Sequence, residues 1–419
     1  MNRMAAVVCI ALMTVGALAQ TSAGAAEPTH SPAERTMAQA NKLLEKNPKN
    51  FEAYNALALA LSRRARETSD VKFYDMAEEA LQKSSAISPN NFDGARIHVW
   101  LLLGKHEFAA ALEAAKPLNK RVPDDIMLYG FLTDANVELG NYADAEKAAQ
   151  WMLDLRPGNL PGLTRAAYLR ELFGDIDGAL ELMKMAYEST PPSEAEDGAW
   201  ILAQMGHLQW MAGKPAEAEK LLTQALTQFP GYHYALANLA KVRILQKRNE
   251  DAVTLLRQRY DAAHHAENLY DLAEALELAG HSEEARKDYA EFEIKSLAES
   301  VKGDNSNREL IFYYADHAGQ PAKALKIAEM ERSRRHDVYT LDAYAWALHV
   351  NGRDDEAKQP MDTALAVGIQ DAKFFDHAGQ IALAIGDKKS ATDYLQKAVS
   401  LNSPVSEQAQ RALARLAAR

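Results

Sequence analysis

Apolar residues return along most of this chain at intervals of three and four, the period of a helix that buries one face. Residues 199–230 show the pattern well. Leu202, Met205, Gly206 and Gln209 share one side of a first helix. Leu221, Leu222 and Ala225 continue the stripe on a second. Gly213 predicts the break between them, because glycine takes the left-handed backbone of a helix end at little cost. Pro215 suits the first turn of the second helix, where a missing N–H costs nothing, and Pro230 ends the unit. Ala218 is expected where the two helices press together. Sustained period-two alternation and hairpin-turn dipeptides between β-branched runs are lacking, so the pattern predicts helices from about Ser31 onward.

The break repeats. Glycine followed five residues later by alanine occurs as Gly104/Ala109, Gly140/Ala145, Gly174/Ala179, Gly213/Ala218, Gly280/Ala285, Gly319/Ala324, Gly352/Ala357 and Gly386/Ala391. Lys247/Ala252 keeps the spacing without the glycine. Successive members lie 33 to 39 residues apart. Self-similarity at that period predicts stacked helical hairpins, in which each unit buries its face against its neighbours.

The unit at 199–230 resembles a tetratricopeptide repeat. That family carries small residues at positions 8, 20 and 27, often glycine at 15, and proline at 32; here these are Gly206, Ala218, Ala225, Gly213 and Pro230. Further copies end at Pro157 and Pro191, with Ala145 and Ala179 at position 20. The last copy has Gly379, Gly386, Ala391 and Ala398. The resemblance covers residues 36–404 and implies an all-α, right-handed α-solenoid of about ten TPR-like hairpins. The expected repeats are 51–89, 90–123, 126–157, 160–191, 199–230, 233–264, 266–297, 305–336, 338–369 and 372–404. Residues 405–419, with Gln408, Arg411 and Arg415 among alanines and leucines, are expected to cap the array, a membrane-surface helix being the alternative.

Departures from the pattern carry their own expectations. The first helix of repeat 51–89 has about seven extra residues around 63–69, and Pro117 is expected to interrupt the second helix of repeat 90–123. Extra residues at 192–198 and 299–307 are either joints between rigid sub-arrays or tolerated surface loops.

The N-terminus reads as an address. Arg3 precedes an uncharged, mostly apolar run at 4–19, and Ala17-Leu18-Ala19 and Ala23-Gly24-Ala25 fit a small-residue cleavage pattern. We expect a signal peptide at 1–26, a flexible leader at 27–35, and an exported, periplasmic or secreted protein. An uncleaved membrane anchor is the alternative. The only cysteine, Cys9, lies in the apolar run, so the mature chain would carry no thiol. The formal charge of -11 disfavours nucleic acid and anionic lipid and tolerates basic partners.

Catalytic and metal motifs are not evident. His106-Glu107 opens a zinc-protease pattern, but Ala110 stands where the second histidine belongs. His264 and His265 are neighbours whose side chains would diverge on a helix. The expectation is a non-enzymatic protein without a cofactor or metal.

In the family, positions 2, 5, 9 and 12 of each first helix line the concave face and meet ligand. Carried onto this chain, they give Trp200, His207 and Trp210, then Tyr234 and Lys241, then Glu267, Tyr270, Glu274 and Glu277. Later units give Glu309, Tyr313 and Asp316, then Tyr339, Asp342, Trp346 and His349, then Lys373, Asp376 and Gln380. Aromatic faces attract cations and acids favour Lys or Arg. The expected partner is therefore a protein or peptide segment of apolar and basic character. A carboxylate clamp for peptide C-termini is disfavoured, since Lys241 and Lys373 stand isolated. Family resemblance leaves a second reading, an assembly or export factor for a surface polymer, pilus or secretion machine.

Overall fold

Each predicted break separates two antiparallel helices. A computed structural model describes residues 31–68, 70–303, 305–401 and 403–417. The expected signal peptide at 1–26 lies outside the described residues. Helix α1, Pro32–Lys46, precedes ten hairpins. They pair α2 Phe51–Thr68 with α3 Lys72–Ile87, α4 Phe92–Gly104 with α5 Phe108–Arg121, and α6 Ile126–Glu138 with α7 Tyr142–Leu155. Next come α8 Leu160–Leu172 with α9 Ile176–Ser189, α10 Ala195–Met211 with α11 Pro215–Gln228, and α12 His233–Leu245 with α13 Asn249–Ala262. Then α14 Ala266–Ala279 pairs with α15 Ser282–Glu299, and α16 Asn307–Phe312 with α17 Pro321–Arg332. The last two hairpins are α18 Val338–Val350 with α19 Asp354–Ala366, and α20 Ala372–Ala384 with α21 Lys388–Ser400. Helix α22, Ser406–Ala417, closes the array by burying Ala409 and Ala412 against Phe375, Leu395 and Ala398. Among the described residues there is no strand. The architecture is an all-α solenoid of helical hairpins.

Small residues sit where the helices cross. Ala145, Ala179, Ala218, Ala252, Ala285, Ala357 and Ala391 are buried. A Cβ on Gly206 would meet Leu222 at 2.6 Å, and one on Gly379 would meet Leu395 at 2.6 Å. Gly140, Gly174, Gly213, Gly280, Gly319, Gly352 and Gly386 hold the left-handed turn inside their hairpins. Lys247 takes the same turn at φ 60. Pro157, Pro191 and Pro230 follow the ends of α7, α9 and α11.

Three expectations are corrected here. In the second hairpin the left-handed residue is His106, at φ 59, and the buried alanine five places on is Ala111, so the pair is His106/Ala111 rather than Gly104/Ala109. Helix α5 runs unbroken through Pro117; packing of Ala111, Leu112 and Ala115 offsets the one intrahelical bond that proline forfeits. The stretch 27–35, expected as a flexible leader, already contains the start of α1. Ser31 caps it, its hydroxyl accepting from Glu34 N–H while the Glu34 carboxylate accepts from Ser31 N–H.

First helices touch the first helix of the next hairpin, as α6 does α8 and α10 does α12, so they form the inner layer. The array then winds back on itself. His336 N–H donates to the Glu138 carbonyl at 3.0 Å, and Val338 N–H to the Tyr142 hydroxyl at 2.9 Å. A Cβ on Gly174 would come within 2.5 Å of the Gly368 carbonyl. One apolar cluster joins Val137, Leu169 and Leu172 to Val338, Leu341, Ile369 and Phe374. The irregular segments serve the same winding. Arg63 reaches Glu194 at 2.8 Å and Arg66 reaches Asp197 at 2.7 Å, so the long tail of α2 meets the insertion before α10. Gly303, in the insertion after α15, lies against the backbone of Lys105 and His106.

Candidate functional site

The inner layer is where a partner segment would lie, and its side chains fall into three zones. In the first, Asp134 and Arg165 pair through two hydrogen bonds of 2.9 and 2.6 Å, both side chains buried. This pair neutralises itself and offers nothing to a ligand.

The second zone lies on α8, α10 and α12. His207 Nε2 is 3.3 Å from a Glu171 carboxylate oxygen, and its ring stacks on Trp210 at 6.0 Å. The Lys241 ammonium sits 5.8 Å from the Trp210 ring centroid. A recess of about 40 Å³ beside Trp210 is closed on its far side by Asp371, Lys373 and Val405 of the next turn. Trp210 and Tyr234 are half-buried, with a face toward solvent. Trp200 is not: it is 3% exposed and packs within the hairpin core.

The third zone runs from α14 to α20 and is rich in acids. Arg259 pairs with Asp271 at 2.5 Å and with Glu267 at 3.4 Å. Burial, with Glu267 and Glu274 alongside, pushes Asp271 up to about 6 despite Arg259. Burial and the neighbouring Glu267 push Glu309 to about 8. A π-helical turn at Tyr313–His317 follows α16 and adds one residue per turn there. It brings His317 to 2.9 Å from Glu277 and 3.8 Å from Glu274. Burial opposes charge on His317, but Glu274, Glu277 and Asp316 outweigh it and raise its pKa. Tyr270 donates to Glu274 at 3.0 Å, and Tyr289 to Glu277 at 3.1 Å. Tyr313 stacks on Tyr289 at 5.3 Å. Trp346 Nε1–H donates to Asp316 at 2.7 Å while its ring stacks on His377 at 4.1 Å. His377 in turn meets Asp342 at 2.8 Å, and His349 bonds Asp354. Asp376 accepts from Gln408 of the capping helix at 3.2 Å.

Inner-layer geometry therefore divides the expected groove. His207, Trp210, Tyr234, Glu274, Glu277, Tyr313 and His349 keep surface on it. Trp200, Tyr270, Tyr339, Asp342, Trp346 and Asp376 are buried, so the picture of a row of open aromatics does not hold for them. Tyr339 belongs to the apolar cluster between turns. The reason is winding: the second turn covers side chains that a single open turn would expose. His317 and His377 were missed. They fall outside positions 2, 5, 9 and 12, and only the π turn and the neighbouring helix bring them to the acids. Among the described residues no group of His, Asp, Glu or Cys side chains is arranged to hold a metal ion.

Comparison with known proteins agrees with this architecture. Residues 132–194 and 209–261 each match a family described as tetratricopeptide repeat. The chain is a tetratricopeptide-repeat protein. Among curated proteins this repeat protein is similar to human Protein IFIT1 homolog B, at 26% identity over 307 residues. The match takes in 67% of the chain and 59% of the relative, so it spans less than two thirds of that relative's length. A solved structure of a human IFIT1 dimer with PPP-AAAA is 12% identical, covers 90% of this chain and 96% of that one, and gives a TM-score of 0.49. PilW, described as a widely conserved type IV pilus biogenesis factor, is 14% identical over 48% of this chain and 92% of its own, with a TM-score of 0.42. At such identities and scores a shared activity does not follow. No helix among the described residues is long and apolar enough to cross a membrane.

Proposed function

We propose that this tetratricopeptide-repeat protein is an exported, non-enzymatic scaffold that holds an apolar and basic protein segment on its inner face. The observation that carries the reading is the third zone. Glu274, Glu277 and Asp316 stand together there, with Asp271 and Glu309 held above the usual carboxylate range. Excess negative charge in a partly desolvated surface favours Lys or Arg from a partner. Trp210 supplies the apolar platform at the other end. The same charge disfavours nucleic acid. The apolar run at 4–19 supports export.

Affinity capture from an envelope extract tests it, with the chain from residue 27 as bait. A second bait carries Glu274→Gln, Glu277→Gln and Trp210→Ala. A protein held by the first bait and lost from the folded second would support the reading, and its binding should weaken with salt. Equal capture by both would overturn it. Trp346 is a poor choice for substitution, because at 9% exposure its loss reports on packing.

A further inference from the structure

A cavity of about 940 Å³ opens where the turn of the second hairpin, the connection after α15 and the loop after α17 meet. It lies away from the third zone described above. Its volume is within the range of ligand pockets, roughly 300–1,000 Å³.

One wall is built with unusual care. The left-handed turn that glycine fills in seven other hairpins is filled here by His106, at φ 59. A non-glycine residue there costs about 1–2 kcal/mol, and such strain collects at functional sites. His106 is held on both sides. Its Nδ1 accepts from Arg335 at 2.9 Å, which places the ring proton on Nε2, and its ring stacks on Phe108 at 5.4 Å. Arg335 also lies 5.0 Å from the Phe108 ring centroid. Burial first, then Arg335 and Arg308, hold the imidazole neutral, so the field at this wall is positive.

Helix α5 begins at the same wall. No side chain caps it, and Phe108, Ala109 and Ala110 of its first turn line the cavity. The N–H groups of that turn are the positive end of a 14-residue helix. Lys302, exposed, stands on the opposite wall with His265 and His336. Arg334 fixes that wall by donating to the carbonyls of Ser300, Val301 and Lys302 at 2.7 to 3.0 Å. Acids also line the space. Asp75 faces Lys105 at 3.7 Å, while Glu107 and Glu299 sit at the rim.

We propose that this cavity binds a small anion-bearing ligand, carrying a phosphate or carboxylate group, with the anion seated on the first turn of α5 between His106 and Lys302. The strained histidine makes the site rigid, and the cavity is completed only when the second turn of the solenoid closes over the first.

Calorimetric titration with pyrophosphate and with citrate, each against potassium chloride at matched ionic strength, tests this. Saturable binding of one probe is expected, and the tighter probe identifies the group. Ala109→Asp puts a carboxylate of the protein's own at the anion position. Acid in a first helical turn favours the helix, so this variant should melt no lower than the parent. Its affinity should fall at least about tenfold, and that of Lys302→Ala by several-fold. Absence of saturable binding for both probes would overturn the proposal. So would undiminished binding by Ala109→Asp.

Discussion

Where α6 and α8 meet α18 and α20 the two turns of the solenoid share carbon; where α2 meets α10 and α12 they share charge. The first contact is Val137, Leu169 and Leu172 against Val338, Leu341, Ile369 and Phe374. The second is Arg66 with Glu196 and Asp197, backed by Tyr232 donating to Glu196 at 2.7 Å and His233 Nε2 bonding the Arg66 carbonyl at 2.6 Å. Carbon contacts gain with area and accept many geometries. Buried ions lose hydration and recover it only in one geometry, so they select a register more than they add stability. Asp197 shows the cost. Burial pushes it up to about 7 although Arg66 pulls it down. Glu196 moves the other way, with Arg66 and the Tyr232 hydrogen bond overcoming its burial. Arg66 thus supports one full carboxylate, and the second keeps a proton until near neutral pH.

Substitutions separate the two contacts. Phe374→Ala, in the carbon seam, should cost about 3–5 kcal/mol in denaturant unfolding, since Phe374 is fully buried. A loss below about 1 kcal/mol would mean the turns do not pack there. Arg66→Ala should cost about 3–5 kcal/mol alone, because it strands two buried acids. In a Glu196→Gln, Asp197→Asn background it should cost far less; an equal cost in both backgrounds would show that charge is not what the contact holds. Away from both, Ala218→Trp should cost about 1–3 kcal/mol by forcing one hairpin open, and an unchanged melting curve would remove Ala218 from the helix crossing.

The charged contact also predicts a pH dependence. Asp197 holds its proton up to about 7 in the fold and releases it near 3.8 when unfolded. The fold therefore binds more protons between those values, and its stability falls as pH rises from about 4 to about 7. Asp197→Asn should flatten that fall, with little effect at pH 4 and a gain at pH 8. Thermal melts at the two pH values decide it, and an unflattened slope would place the proton elsewhere. The smallest effect belongs to the exposed pair of Lys247 and Glu407, 2.7 Å apart across the turns. Lys247→Gly forfeits at most about 1 kcal/mol of surface pairing and relieves about 1 kcal/mol of left-handed strain. Stability should stay level or rise; a clear drop would make this pair a third real tie.

Much of the candidate site was legible in the residues. Spacing alone brought His207 and Trp210 to one face, and Glu274 and Glu277 to another. It could not tell Trp210, which keeps a face in solvent, from Trp200 and Trp346, which are 3% and 9% exposed. Both kinds obey the same helical period. The insertions at 192–198 and 299–307 read equally well as joints or loops, yet the first carries the acids that hold Arg63 and Arg66, and the second lies against His106. Nothing local marks either partner, since they lie more than 100 residues away.

Sequence by itself determined the hairpins: the 3.6-residue period, the breaks and the small residues at the crossings are all settled within about 35 residues. Tertiary structure alone decided the winding. Each hairpin turns slightly on the last, and those small rotations add until Glu138 meets His336 and Gly174 meets Gly368. A pattern that repeats every hairpin specifies the step between neighbours, whereas the return of the chain on itself depends on the sum of all the steps. That sum sets which inner-face side chains are sealed between turns and which remain for a partner.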